Sequence, residues 1–278
     1  MMTSPPGAER TADSDARPVE QGESSAYWDG IAAEWEHSGD GKAWRMVSDA
    51  VNVSLLERWL PRDPGGSVLK TDLFDEATGT GLVPWLSASF ARVYGVDIAP
   101  ALVKDVRCRH PGLRAEAADV RNLPFEKDSF ECVVSNSTLD HLPTRDDIAA
   151  AVRELHRVMR PGGHLLITLD NPVNPIVGFR NMLPAGLRRS LVPYALGATL
   201  GPRGLRSLLE QCGFDVLKTG AVFHSPRILV VLGGRLVDRR RAITKKRYAR
   251  LWRPFEWLAA LPTRYLTGHF VAVLARKR

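Results

Sequence analysis

Cysteine is scarce in this chain: Cys108, Cys132 and Cys212 stand far apart, with no CxxC pair. Such spacing offers neither a zinc site nor a disulfide framework, and it fits a reducing, cytoplasmic setting. Long apolar runs are missing too. No stretch of eighteen or more apolar residues occurs, and the first two dozen residues are polar, without the hydrophobic segment of a signal peptide. Residues 1–24 read as a disordered tail. Internal repeats are absent. Acidic residues run short in one region only: residues 172–278 hold 20 Lys or Arg against 4 Asp or Glu, whereas residues 1–171 hold 18 against 27. A basic module is thus joined to an acidic one. Its surface could meet nucleic acid, anionic lipid or an acidic small substrate, or be no more than a solvated arginine-rich face.

What the chain does contain is room for one sizeable core in 278 residues. Apolar runs alternate with helix-period stretches, the pattern of a parallel sheet wrapped by helices. Strands are expected at 67–74, 92–98, 131–136, 164–170, near 214–223 and at 268–276. WLSASFA, DIAAAVRELHRVM and PRGLRSLLEQCG carry apolar residues three and four apart and read as covering helices. The last of these stops at Gly213, a suitable C-cap.

Polar motifs sit where strands give way to loops, the place at which open parallel sheets bind ligands. The first is VLKTDLFDEATGTGL (68–82), where small residues at Gly79 and Gly81 would let backbone approach a ligand closely. Lys70 and Asp72 inside an apolar strand would be costly to bury unpaired, so a salt bridge or a ligand contact is expected. GVDIAP then puts Asp97 at a strand end with Ile98 beside it. AADVRNLPFEKDSF carries Asp119 and Val120, SNSTLDHLP follows the next strand, and RELHRVMRPGG turns a helix back into the sheet at Pro161-Gly162-Gly163.

In order and spacing these motifs resemble the class I S-adenosylmethionine (SAM) dependent methyltransferases, in particular the ubiquinone-biosynthesis-like small-molecule enzymes. The detailed likeness covers residues 68–170. It implies a Rossmann-like α/β fold: a doubly wound, mostly parallel seven-stranded sheet with an antiparallel last strand, N-terminal helices and a helical insertion before that strand. It also implies SAM as cofactor, S-adenosylhomocysteine as product and no metal. In the family the first loop usually reads acid-x-Gly-x-Gly-x-Gly. Two registers are open here. One runs from Asp75 and Glu76 to Gly79 and Gly81; the other begins at Lys70-Thr71-Asp72 and makes KTDLFDEA a polar replacement of the glycine loop, with Asp72 or Glu76 receiving the cofactor's ammonium group. By the same resemblance Asp97 would take two ribose hydroxyls and Asp119 would face the adenine amino group, with Val120 against the base. Ser135, Asn136 and Thr138 would lie beneath the sulfonium. His141 is a candidate general base, since a histidine titrates near neutral pH, although its ring could equally fix the loop by hydrogen bonding.

Three stretches depart from the family core. Residues 25–60 read as a helical lid bearing Tyr27, Trp28, Trp44 and Arg45, with core packing onto the sheet an equal alternative for the tryptophans, and 61–170 as the cofactor-binding core. Residues 171–204 should build the acceptor pocket, with Asn171, Asn174, Arg180, Asn181 and Tyr194 as polar contacts in an apolar wall. Residues 224–267 form a cap in which His224 is a second candidate base. Its basic stretch 235–253 resembles an interfacial helix able to rest on an anionic membrane, the alternative being a cap packed on its own domain. Residues 25–278 are expected to be one methyltransferase domain, acting on a small hydrophobic or lipid-like acceptor. A nucleic-acid methyltransferase and a non-catalytic SAM-binding protein are the alternatives; the loop SNSTLDHL lacks the Asn-Pro-Pro-Tyr pattern of many base-modifying relatives.

Overall fold

The computed structural model describes residues 25–38, 42–62, 65–184, 186–187, 194–240 and 245–278; the expected tail and parts of both insertions lie outside them. Seven strands form one sheet: β1 (Ser67–Thr71), β2 (Arg92–Asp97), β3 (Leu113–Ala117), β4 (Phe130–Asn136), β5 (Met159–Asp170), β6 (Phe214–Val222) and β7 (Phe270–Lys277). Their order is β3-β2-β1-β4-β5-β7-β6, with β7 antiparallel to both neighbours and the rest parallel. This is the seven-stranded doubly wound sheet implied by the motifs. The short edge strand β3, LRAEA, has no apolar run and is not legible from the sequence.

β1 is buried along its whole length. As its side chains alternate, Val68 joins the core on one face of the sheet and Leu69 the core on the other. The helices cover these two faces: α1 (Ser25–Ser38), α2 (Lys42–Trp59), α3 (Phe74–Thr78), α4 (Val83–Ser89), α5 (Pro100–Arg109), α6 (Arg145–Val158), α7 (Pro175–Met182), α8 (Pro202–Gln211), α9 (Arg227–Arg240), α10 (Lys245–Trp252) and α11 (Arg264–Thr267). In α2 the buried Val47, Val51 and Leu55 fall four residues apart and face the sheet. α6 starts with a reciprocal capping box, Thr144 with Asp147, and α8 stops before Gly213, whose φ of +91° ends the helix left-handed.

β1 is shorter than its apolar pattern. Asp72 has φ +66° and turns the chain out of the sheet directly after Thr71, a conformation that aspartate tolerates better than most residues. Thr71 is level with Val96 on one side and Ser135 on the other. The chain leaves β1 for β2 on one flank while β4 joins the other, so a crevice opens at this switch point.

Candidate functional site

The crevice is a cavity of about 230 Å³, and its floor begins with the first loop. Lys70 is 4% exposed; its ammonium lies 2.9 Å from Glu76 Oε2 and also donates to the Asp72 carbonyl. Burial works against the lysine charge, but the Glu76 and Asp72 carboxylates outweigh it and hold the pKa above the usual lysine range. Glu76 Oε1 accepts from Leu82 N at 2.9 Å. Gly81 has to be glycine: its φ is +50°, and a Cβ there would come within 2.3 Å of Glu76 Oε1. Glu76 therefore faces Lys70 and the loop backbone, and it does not line the cavity. Gly79 is likewise set back beyond α3, its carbonyl met by the His110 ring at 3.2 Å. The loop at the strand end is KTDLFD, and its lining carboxylates are Asp72 of the second register and Asp75 of the first.

Asp72 Oδ1 accepts from Phe74 N at 2.9 Å, closing a local Asx-turn. Burial pushes both lining carboxyls up to about 6, against the pull of Lys70 for Asp72 and with the push of Glu76 for Asp75. Behind them the half-buried Asp49 of α2 rises further, to about 8, through burial first and then through Asp75 and Glu76. From the same helix Trp44, Arg45 and Ser48 reach the cavity. Asp97, at the end of β2, accepts from Leu73 N at 2.7 Å and Ala99 N at 2.9 Å. Each of its oxygens keeps a second lone pair. Asp119, Val120 and Ile98 line the adjoining wall, where Arg121 pairs with Asp119 at 2.7 Å and with Asp147 at 2.9 Å.

The β4 loop forms the opposite wall through Asn136, Ser137, Thr138, His141 and Leu142. Ser135 is fully buried beneath it and accepts from Thr71 Oγ1 at 2.9 Å, so it supports the lining Thr71 and Thr138, themselves 2.8 Å apart, without lining the cavity. His141 Nδ1 is 3.1 Å from the Ala195 carbonyl. A carbonyl only accepts, so Nδ1 is the protonated nitrogen of this contact, and Nε2 is the nitrogen left for a proton acceptor. Trp28 and Tyr194 stand edge-on to this ring, with centroids 4.9 and 5.4 Å away. The 194–200 segment is held there by Gly197 N to Asp140 O at 2.8 Å and Ala198 N to Leu142 O at 2.7 Å.

Comparison with known proteins bears on the fold that carries this site. The family model described as "Methyltransferase domain" matches residues 74–167, the stretch that carries Asp75, Asp97, Asp119 and the β4 loop. Over these residues the chain is similar to the SAM-dependent methyltransferases. A probable S-adenosylmethionine-dependent methyltransferase of Mycolicibacterium smegmatis is 32% identical over 55% of this chain and 55% of its own length. The match thus spans about half of that relative. A demethylmenaquinone methyltransferase of Streptomyces griseus is 27% identical over 68% of the chain and 78% of its own. Among solved structures, a possible histamine N-methyltransferase of Thermotoga maritima has the same fold, with a TM-score of 0.59 at 16% identity over 90% of this chain and 98% of that one.

Within this methyltransferase fold, the second half of the chain contributes differently from its sequence-level expectation. Of the acceptor candidates, Tyr194 lines the cavity, whereas Asn171, Asn174, Arg180 and His224 do not. Asn171 donates to the Tyr265 and Gly268 carbonyls at 2.7 and 2.9 Å. Asn174 caps α7 through Ile176 N and also donates to Gly268 O. Arg180 is taken up by Asp170 and Asn181. His224 has both ring nitrogens occupied, Nδ1 by Thr267 Oγ1 at 2.7 Å and Nε2 by Ala221 O at 3.1 Å, and no free nitrogen remains for a base. These four side chains hold the insertions to the sheet edge. Tyr27 also stays outside the cavity; its hydroxyl accepts from Ala195 N at 2.8 Å and ties α1 to the 194–200 segment.

Arg227 went unforeseen in the sequence. It lines the cavity, donates to Tyr194 Oη at 3.1 Å and to His269 Nε2 at 2.9 Å, and lies 4.9 Å over the Trp44 ring. Burial, and then Arg227 itself, press the His269 pKa down to about 3, so the ring is neutral and can accept. Asp49, Ser48 and Phe270 were missed as well. Each needs the helix packing or the β7 pairing to place it, and none belongs to a local motif.

Proposed function

We propose that this protein transfers a methyl group from SAM to a small, apolar acceptor by in-line displacement. The observation that carries the reading is the surplus of carboxylates at the ends of β1 and β2, facing an aromatic wall at the end of β4. Bound SAM would supply a methyl group already activated on a sulfonium. Asp72 and Asp75 suit its ammonium, and Arg45, lining the same end, suits its carboxylate. Asp97 has lone pairs left for the ribose hydroxyls, and Asp119 with Val120 flanks the place for the base. Lys70, locked to Glu76, takes no part in binding.

The acceptor would enter against Trp28, Tyr194, Leu142 and Phe270, which exclude water and orient it, so that positioning and desolvation do much of the work. His141, with Nδ1–H held by Ala195, offers Nε2 to a proton leaving the acceptor. Arg227 gives this apolar wall one fixed cation, suited to an acceptor that carries an oxygen anion.

Calorimetry of SAM and S-adenosylhomocysteine binding tests the reading. The wild type should bind both saturably, and Asp97→Ala should bind at least about tenfold more weakly, since one bidentate contact is lost. A folded wild type that binds neither would end the proposal.

A further inference from the structure

Large apolar side chains left in water are unevenly placed on this molecule. Among the described residues all but one of them, Leu217, come from residues 173–187 and 228–266. On α9, Ile228, Leu229, Leu232 and Leu236 are more than half exposed. At 100° per residue they fall within one arc of roughly 100°. The other side of this helix is occupied: Val230 is buried, and Tyr248 of α10 donates to its carbonyl at 2.6 Å. α7 adds Phe179 at 67% exposure and Met182 at 84%, and the turn-rich 253–260 segment adds Trp257 at 64%.

These elements share one edge of the sheet. α7 follows the end of β5 and α9 follows the end of β6, while α11 leads into the antiparallel β7. Asn171 and Asn174 bind the start of the first insertion to the backbone of 265–268, and Ser225 donates to Trp252 O. These insertions leave the sheet at the carboxyl ends of its parallel strands, the end at which the crevice beside β1 also opens. The net charge there is strongly positive. Residues 224–267 hold 11 Lys or Arg against 2 Asp or Glu, with Arg235, Lys246, Arg247, Arg250 and Arg253 exposed. One of the two acids, Glu256, is engaged by the Phe223 and His224 amides.

We propose that this face is a docking surface for an anionic phospholipid bilayer, entered by the apolar stripe of α9 with Phe179, Met182 and Trp257 and held by the surrounding cations. An amphipathic helix with an apolar arc and flanking basic residues lies in the headgroup region, tryptophan favours that depth, and each cation adds attraction to an anionic leaflet. No helix among the described residues is long and apolar enough to cross a membrane, so the contact is peripheral. It would set the cavity mouth near the source of a lipid-soluble acceptor. That consequence rests on the proposed methyl transfer; the docking itself does not.

Sedimentation of the full chain with vesicles tests it, using phosphatidylcholine alone and phosphatidylcholine with 30 mol % phosphatidylglycerol. Partitioning should be at least about tenfold stronger on the anionic vesicles and should fall steeply in 0.5 M NaCl. The Leu232→Glu/Leu236→Glu double variant, altered at exposed positions and checked by thermal unfolding, should lose at least about tenfold in vesicle binding. Equal partitioning on both vesicles, or undiminished binding of a folded double variant, would overturn the proposal. So would a chain that sediments as a dimer which the double variant dissolves, because a second copy would then cover the face. S-adenosylhomocysteine affinity, measured without vesicles, reports separately on the cofactor reading.

Discussion

The Lys70 ammonium sits 2.9 Å from the Glu76 carboxylate, both of them buried, at the end of β1. The cation is placed by the strand, and its counter-charge arrives six residues later from α3. Removal of one partner from a buried pair leaves an uncompensated charge, at a cost of about 3–5 kcal/mol. Lys70→Met and Glu76→Gln should each lower the unfolding midpoint in urea by that equivalent. Lys70→Met/Glu76→Leu should recover most of the loss, and a double variant no better than the singles would show that the pair is not coupled.

Asp49 gives stability a pH signature. Its folded pKa of about 8 lies above the ordinary 3.8, so the folded chain holds a proton that the unfolded chain has released. The associated stability is present in full below about pH 4 and is lost as pH rises to about 8. Asp49→Asn removes the ionisable group. Thermal unfolding should find this variant level with the wild type near pH 4, then increasingly more stable up to about pH 8, with no further gain above.

Asp72 and Asp75, raised to about 6, bear on ligand binding. A cationic ligand favours their ionised forms, so SAM affinity should rise between about pH 5 and pH 7, with protons released on binding. Calorimetry in buffers of different ionisation enthalpy would detect that release. In Asp72→Asn/Asp75→Asn the rise should flatten.

His141 can be separated from its neighbours by its two nitrogens. His141→Gln should keep S-adenosylhomocysteine affinity within about threefold, while turnover on an acceptor that must lose a proton falls by about 10²–10⁴. Equal losses in binding and turnover would make the ring a structural part of the loop.

Gly197 tests how the acceptor wall is held. A Cβ there would meet the Leu142 carbonyl at 2.0 Å, and backbone cannot give way as a flexible side chain can. Gly197→Ala should destabilise the fold by about 1–3 kcal/mol in urea unfolding and release the Ala195 carbonyl from His141.

Much of this architecture is legible in the chain because it is local. Asp97 and Asp119 sit in short strand-to-loop motifs, and six of the seven strands announce themselves by apolar runs. β3 does not, since LRAEA at a sheet edge alternates only Leu113 and Ala115 inward. The expected strand 67–74 runs three residues too long, because Leu73 and Phe74 are apolar whatever the backbone does and only the left-handed Asp72 ends the pairing. Asn171, Asn174 and His224 look like pocket residues on paper, being polar groups in apolar insertions. Their partners are main-chain carbonyls almost a hundred residues away for the asparagines, and no local pattern encodes those. Arg227 fails the other way: in a chain rich in arginine nothing marks the one that lies over Trp44.

The cap between β6 and β7 is a long excursion with a very narrow base. His269 N donates to Phe223 O at 3.1 Å, immediately beyond the last paired residues of the two strands, Val222 and Phe270. A segment whose two ends are already clasped can be traded for another of different length at little cost in loop entropy. Chain closure therefore sets little limit on the length of the cap; its limits come from packing, since Val230, Tyr248 and Ala249 join the core beside α2 and Arg227 reaches over Trp44.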